Sequence, residues 1–164
     1  LVKRVHEGTH ITYQLTRIAK DLEPIVDQLA HWAHRNVDSE VKLERLDAPI
    51  LMWNMRRKVN SAVLPHNRRC VIQFIYPELP ETTRNYWIIA RPGFPVDMCM
   101  IDPGHDVDLY VTAELRAMTS AWMGISSLRH EIDKGSINLI GDESLIHSIG
   151  EWMVRSRFAT VAAA

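Results

Sequence analysis

The 164-residue sequence is short of three things: cysteine, net charge and long apolar runs. It has only Cys70 and Cys99, which form no metal-type pair and sit among apolar neighbours, the setting of buried reduced thiols and of a cytoplasmic protein. A formal net charge of -1 excludes a chain that wraps nucleic acid along its length, so any basic contact has to be local. No apolar run reaches the length that spans a bilayer, and Leu1-Val2-Lys3-Arg4 opens without a signal-peptide core. Also missing are a Gly-x-Ser-x-Gly elbow, a phosphate-cradling glycine loop and a dinucleotide fingerprint, so the sequence supports no catalytic residue, no metal and no cofactor.

The chain is 46% hydrophobic, enough for one core of about 110 to 120 residues and a smaller appendage. Two β-like runs, 1–5 and 10–15, flank Glu7-Gly8-Thr9 and predict a hairpin. Leu1-Val2 already reads as strand, so the natural chain is expected to begin earlier. Thr16 is a good N-cap for a helix over 17–36, which Pro24 should bend. Along it Ile18, Leu22, Ile25, Leu29 and Trp32 recur at spacings of four, three, four and three, the seam of a helical dimer. The polar stretch 36–40 is a linker, and Leu43, Leu46, Ile50, Trp53 and Met55 predict a second helix reaching about Val59.

Four β-like runs follow, 69–76, 84–91, 96–101 and 106–112, separated by Pro- and Gly-containing turns and read as an antiparallel meander. Thr112 is expected to cap a helix to Met123 and Ser126 or Ser127 one to Lys134. A strand over 136–140 and a helix from Asp142 to about Val154 complete the pattern. The expected fold is α+β: a hairpin and long helix (1–38), then a five-stranded antiparallel sheet with helices packed on it (42–158). Ile72, Phe74 and Tyr76 share one face of the first of these strands, and Tyr86, Ile88 and Ala90 share one face of the next.

Three constellations carry possible chemistry. His6-Glu7-Gly8-Thr9-His10 fits the His-Glu-x-x-His zinc pattern, but that geometry needs a helix, and Gly8, Thr9 and the β-like flanks favour a hairpin. His31 and His34 lack a nearby third ligand. Asp102-Pro-Gly-His-Asp-Val-Asp108 gathers carboxylates and a histidine, yet reads better as a turn with Asx-type hydrogen bonds.

From Val2-Lys-Arg through Tyr13-Gln-Leu-Thr16, Leu22-Glu-Pro24 and Trp32-Ala33, the first part resembles the end of HxlR-type winged helix-turn-helix transcription regulators. Ala19 stands where that family usually has Gly, and His10 where an Arg is frequent. The resemblance implies a wing in 1–15, a dimerisation helix in 17–36 and a homodimeric, DNA-binding regulator whose recognition helix would precede Leu1. Lys3, Arg4, His6 and His10 would then lie near DNA phosphate.

From about 43 to 158 the chain resembles the sterol carrier protein type 2-like fold. That likeness is carried by Asp106-Val-Asp-Leu-Tyr-Val-Thr-Ala-Glu-Leu, Trp122-Met-Gly and Lys134-Gly-Ser-Ile-Asn-Leu-Ile-Gly-Asp142, and it implies an apolar small-molecule ligand. All seven methionines fall in this part, and methionine lines an adaptable pocket as readily as it fills a core. The expected ligand contacts are Trp53, Phe74, Tyr86, Ile88, Met98, Met100 and Trp122. A carrier of apolar molecules without any DNA role is the competing expectation.

Overall fold

The computed structural model describes residues 1–7, 10–38 and 43–159, the side chains of Glu7 and His10 excepted. Its contacts divide the chain into two compact units, residues 1–37 and 38–160.

In the first unit, β1 (Val2–Glu7) and β2 (His10–Leu15) form an antiparallel hairpin in which Arg4 faces Tyr13 and His6 faces Ile11. Thr16 then turns the chain into α1 (Arg17–Asn36), its hydroxyl accepting from the Ala19 amide at 3.3 Å. The Thr16 amide donates back to the Leu1 carbonyl at 2.8 Å, tying the hairpin base to the helix start. Pro24 lies inside α1, which continues unbroken to Asn36.

The second unit begins its regular structure at α2 (Ala48–Arg56), later than the expected start near Leu43. Asp47 caps the Ile50 amide at 2.8 Å and Pro49 occupies the first turn, and together they fix the start. A 3-10 turn (Ser61–Val63) leads to β3 (Cys70–Ile75), β4 (Asn85–Ala90), β5 (Asp97–Cys99) and β6 (Leu109–Ala113). Then come α3 (Leu115–Met123), α4 (Leu128–Asp133), β7 (Ile137–Gly141), α5 (Glu143–His147) and α6 (Ile149–Trp152).

The α+β architecture and the five-stranded sheet agree with expectation, but the meander does not close the sheet. The strand order is β5-β4-β3-β6-β7, and β6 runs parallel to β3. The cause is Asp108, whose amide donates to the Val71 carbonyl at 2.9 Å while its carboxylate accepts from the Val71 amide at 2.7 Å. That exchange docks the incoming strand on the free edge of β3 instead of on β5.

Two expected helix boundaries also move. Thr112 remains in β6 opposite Asn138, and the Leu115 amide at the start of α3 is capped by the Glu78 carboxylate, 37 residues away in sequence. The expected 142–154 helix breaks at Ser148, whose hydroxyl donates to the Ser144 carbonyl at 2.7 Å and competes with the helical ladder.

The inner face of the sheet carries Ile72, Phe74, Tyr86, Ile88, Leu109 and Val111, all within 1% of full burial. Met52 and Met55 of α2, Met118 of α3 and Trp152 of α6 close over it. Trp152 is sequestered completely because its indole N–H finds the Leu145 carbonyl at 2.9 Å. A smaller cluster of Val71, Trp87 and Ile89 occupies the other face, flanked by Cys99 and Val107.

Candidate functional sites: an exposed helix seam and a closed apolar core

On the hairpin, adjacent residues point to opposite faces. Lys3 therefore shares a face with Gln14, while Arg4 and His6 share the other with Tyr13 and Ile11. The two basic residues expected to act together diverge, each exposed. Lys3 instead joins Arg17 and Lys20, with Gln14 and Thr16, along a cleft of about 650 Å³. No acidic residue sits in the first turn of α1, so the positive helix end adds to these three cations. The sequence reading did not identify Arg17 and Lys20 as partners of Lys3. His10 lies in β2, with its side chain outside the described residues. The His-Glu-x-x-His pattern falls on β1 and β2, and Gly8 and Thr9 lie outside the described residues.

Along α1 the seam is exposed: Ile18 66%, Leu22 39%, Ile25 61%, Leu29 62% and Trp32 54%. Val26, missed by the sequence spacing, widens the apolar stripe. His31 turns its Nδ1 to the Asp27 carbonyl of its own helix at 2.7 Å. Among the described residues no group of three or more metal-ligating side chains converges, and no helix is long and apolar enough to cross a membrane.

In the second unit the seven expected ligand contacts do not form one wall. Phe74, Tyr86 and Ile88 are fully enclosed, Met98 and Trp122 pack partly buried against them, and Trp53 and Met100 are about half exposed. Trp53 follows Met52 by one residue, about 100° around the helix, and its ring carries the Arg56 guanidinium 4.4 Å from the centroid. Tyr86 meets Tyr76 edge to face, centroids 5.9 Å apart. The Tyr76 hydroxyl donates to the Met52 thioether at 3.1 Å, whereas the Tyr86 hydroxyl has no hydrogen-bond partner among the described residues. Burial, and then the nearby Asp47 carboxylate, raise the Tyr86 phenol above its ordinary pKa. The Trp122 indole N–H is likewise unpartnered.

The Asp102 turn behaves as expected, its carboxylate accepting from the Gly104 amide at 2.8 Å. Beyond it Asp108 pairs with Arg68, which also reaches Asp142 at 3.4 Å, and Arg69 approaches His105 Nδ1 at 3.2 Å. The cleft between them, about 410 Å³, is polar. In it Asp108 ties the start of β6 to that of β3 through Arg68 and the Val71 amide.

No protein-family model matches the chain, and no curated protein does. Among solved structures, a double mutant of the sec-alkyl sulfatase PisA1 matches with a TM-score of 0.52 at 13% identity, over 68% of this chain and 17% of that one. The chain thus spans under a fifth of that sulfatase. Sterol carrier protein domain 2 of Helicoverpa armigera matches at a TM-score of 0.47 and 13% identity, over 71% of this chain and 87% of that one. Palmitated SCP2L2 from Aedes aegypti matches at 0.45 and 18%, over 65% and 93%. At these identities the likeness concerns the fold alone: the second unit is an α+β domain of five strands and packed helices.

Proposed function

We propose that the chain contains the wing and dimerisation helix of a homodimeric, DNA-binding transcription regulator, followed by a domain that takes an apolar small molecule. The observation that carries this reading is the α1 seam: five apolar residues in a dimer-type spacing, each between 39% and 66% exposed, on the helix that follows a basic hairpin. Burying the exposed half of five such side chains on each of two copies releases about 10 kcal/mol at roughly 1 kcal/mol apiece. That is comparable with the association cost of about 4–15 kcal/mol, so the dimer depends on the whole seam. Leu22→Asp with Leu29→Asp is expected to give monomers in sedimentation equilibrium while leaving the helical circular dichroism intact. A dimer that survives both charges would relocate the interface.

For the DNA contact, neutralising Lys3 and Arg4 is expected to weaken binding to all duplexes by a similar factor in fluorescence anisotropy and to flatten its salt dependence. A loss confined to one sequence would contradict a phosphate-contacting wing. A second reading, a carrier of apolar molecules with no DNA role, is favoured by the unpartnered Tyr86 hydroxyl in an otherwise apolar core. Organic extraction of the purified protein tests it: a reproducible apolar compound with no duplex binding at low salt would select the carrier.

A further inference from the structure

We infer that the Tyr86 hydroxyl is the polar anchor of a ligand site between α2 and the sheet, and that the ligand is an apolar molecule carrying one neutral oxygen acceptor. This rests on the apolar-ligand reading of the second unit and specifies its chemistry. Tyr86 is 0% exposed, stands opposite Phe74 across β3 and β4, and has no hydrogen-bond partner among the described residues. A hydroxyl buried without a partner destabilises the folded state, and proteins rarely retain one. Tyr76, which meets Tyr86 edge to face, donates its hydroxyl to Met52, so the two phenols do not satisfy each other.

The surroundings supply adaptable volume. Met52, Met55 and Met118 belong to the same buried core as Tyr86, and each has three side-chain torsions through which to yield space. The covering element, α2, is only nine residues long and begins at Asp47, the group whose charge is felt at Tyr86. Asp47, whose negative charge is felt at Tyr86, would repel an ionised carboxylate placed there, and the apolar side chains packed in the same core would strip that carboxylate of hydration. A ketone, ester or quinone carbonyl, or an ether, accepts the phenolic hydrogen at no such cost. The anchor therefore selects neutral oxygenated lipids or ring ketones over free fatty acid anions.

A matched pair of probes tests this in the full chain by equilibrium dialysis: 2-acetylnaphthalene, which has the carbonyl, and 2-ethylnaphthalene, which has the same shape without it. The wild type should hold the ketone about tenfold more tightly than the hydrocarbon, the worth of one hydrogen bond made in an apolar interior. Tyr86→Phe keeps the ring and its edge-to-face contact, so it should fold, keep its affinity for the hydrocarbon and lose the preference for the ketone. Tyr76→Phe should keep the preference. A preference that survives in Tyr86→Phe overturns the anchor and leaves the apolar-ligand reading standing, whereas failure of both probes to bind the wild type overturns that reading and the anchor with it.

Discussion

Replacing Asp108 separates two roles that one side chain performs at the centre of the sheet. Its carboxylate accepts from the amide of Val71, a residue 1% exposed, and it also pairs with Arg68, whose side chain is 44% exposed. Removing the acceptor of a buried amide costs about 1–3 kcal/mol. An ion pair with so exposed an arginine is screened by solvent and contributes about 0.2–1 kcal/mol. Asp108→Ala loses both, about 2.5 kcal/mol in all, whereas Asp108→Asn keeps an acceptor oxygen for Val71 and Arg68→Ala sacrifices only the pair, each costing about 1 kcal/mol or less. Urea unfolding followed by tryptophan fluorescence resolves the difference, because at about 2 kcal/mol per molar the alanine variant shifts the midpoint by about 1 M. An Arg68→Ala variant as destabilised as Asp108→Ala would refute the reasoning, since the ion pair and not the buried amide would then hold β6 against β3.

Gly141 has φ +145, and a Cβ there would lie 2.2 Å from the Asp108 carbonyl oxygen, so Gly141→Ala should leave little soluble protein; Gly135→Ala, with φ +83 and open space, should cost about 1 kcal/mol by thermal denaturation. Cys70 is fully enclosed, and burial pushes its thiol up to about 12, so a thiol reagent should modify one cysteine per folded chain, and Cys99→Ser should react only on unfolding. The Asp142 carboxyl is held below its ordinary value, chiefly by the hydrogen bond from the Ser144 hydroxyl and then by the Leu145 and Ser144 amides. A depressed carboxyl contributes stability that is complete above its unfolded pKa and disappears as pH falls through the folded one. An acid titration of Asp142→Asn should therefore fall less steeply below the ordinary carboxylate range, and an unchanged acid limb would remove Asp142 from the account.

Local chemistry was legible in the first helix and in the first strand of the large sheet, though not at Asp47 or Ser148, whose short-range hydrogen bonds moved two helix boundaries. Thr16 and the four-three spacing give α1 to the residue, and the alternation of Ile72, Phe74 and Tyr76 gives the inner face of β3. The parallel pairing of β6 with β3 was not legible, because it depends on Asp108 meeting Val71 across 37 residues. Nor was the cap of α3, which Glu78 provides from an equal distance in sequence. Of the candidate site residues, Lys3 and Arg4 were found as a basic pair, but the pleat that separates them follows only once the hairpin register is fixed. Trp53 and Met100 were grouped with buried residues on composition, which carries no information about the direction of a side chain.

The same sequence signal, a recurrent set of large apolar side chains, had opposite outcomes in the two units. In the second, Met52, Met55 and Met118 vanish into a core because a five-stranded sheet offers them a face to cover. In the first, the two strands of the hairpin supply no comparable sheet, and Ile18, Ile25 and Leu29 stay more than 60% exposed. Exposed apolar residues scattered singly are ordinary on any surface, but six on one stripe of a twenty-residue helix are not. A ligand held at Tyr86 alters what that stripe does only if it binds two arrangements of the assembled protein with different affinity, and the effect on DNA affinity then equals the ratio of the two. Measuring ketone affinity in the presence and absence of saturating duplex tests the proposed regulator reading through that ratio: a value of one would mean that ketone and duplex do not influence each other, and any other value would make the second unit a sensor.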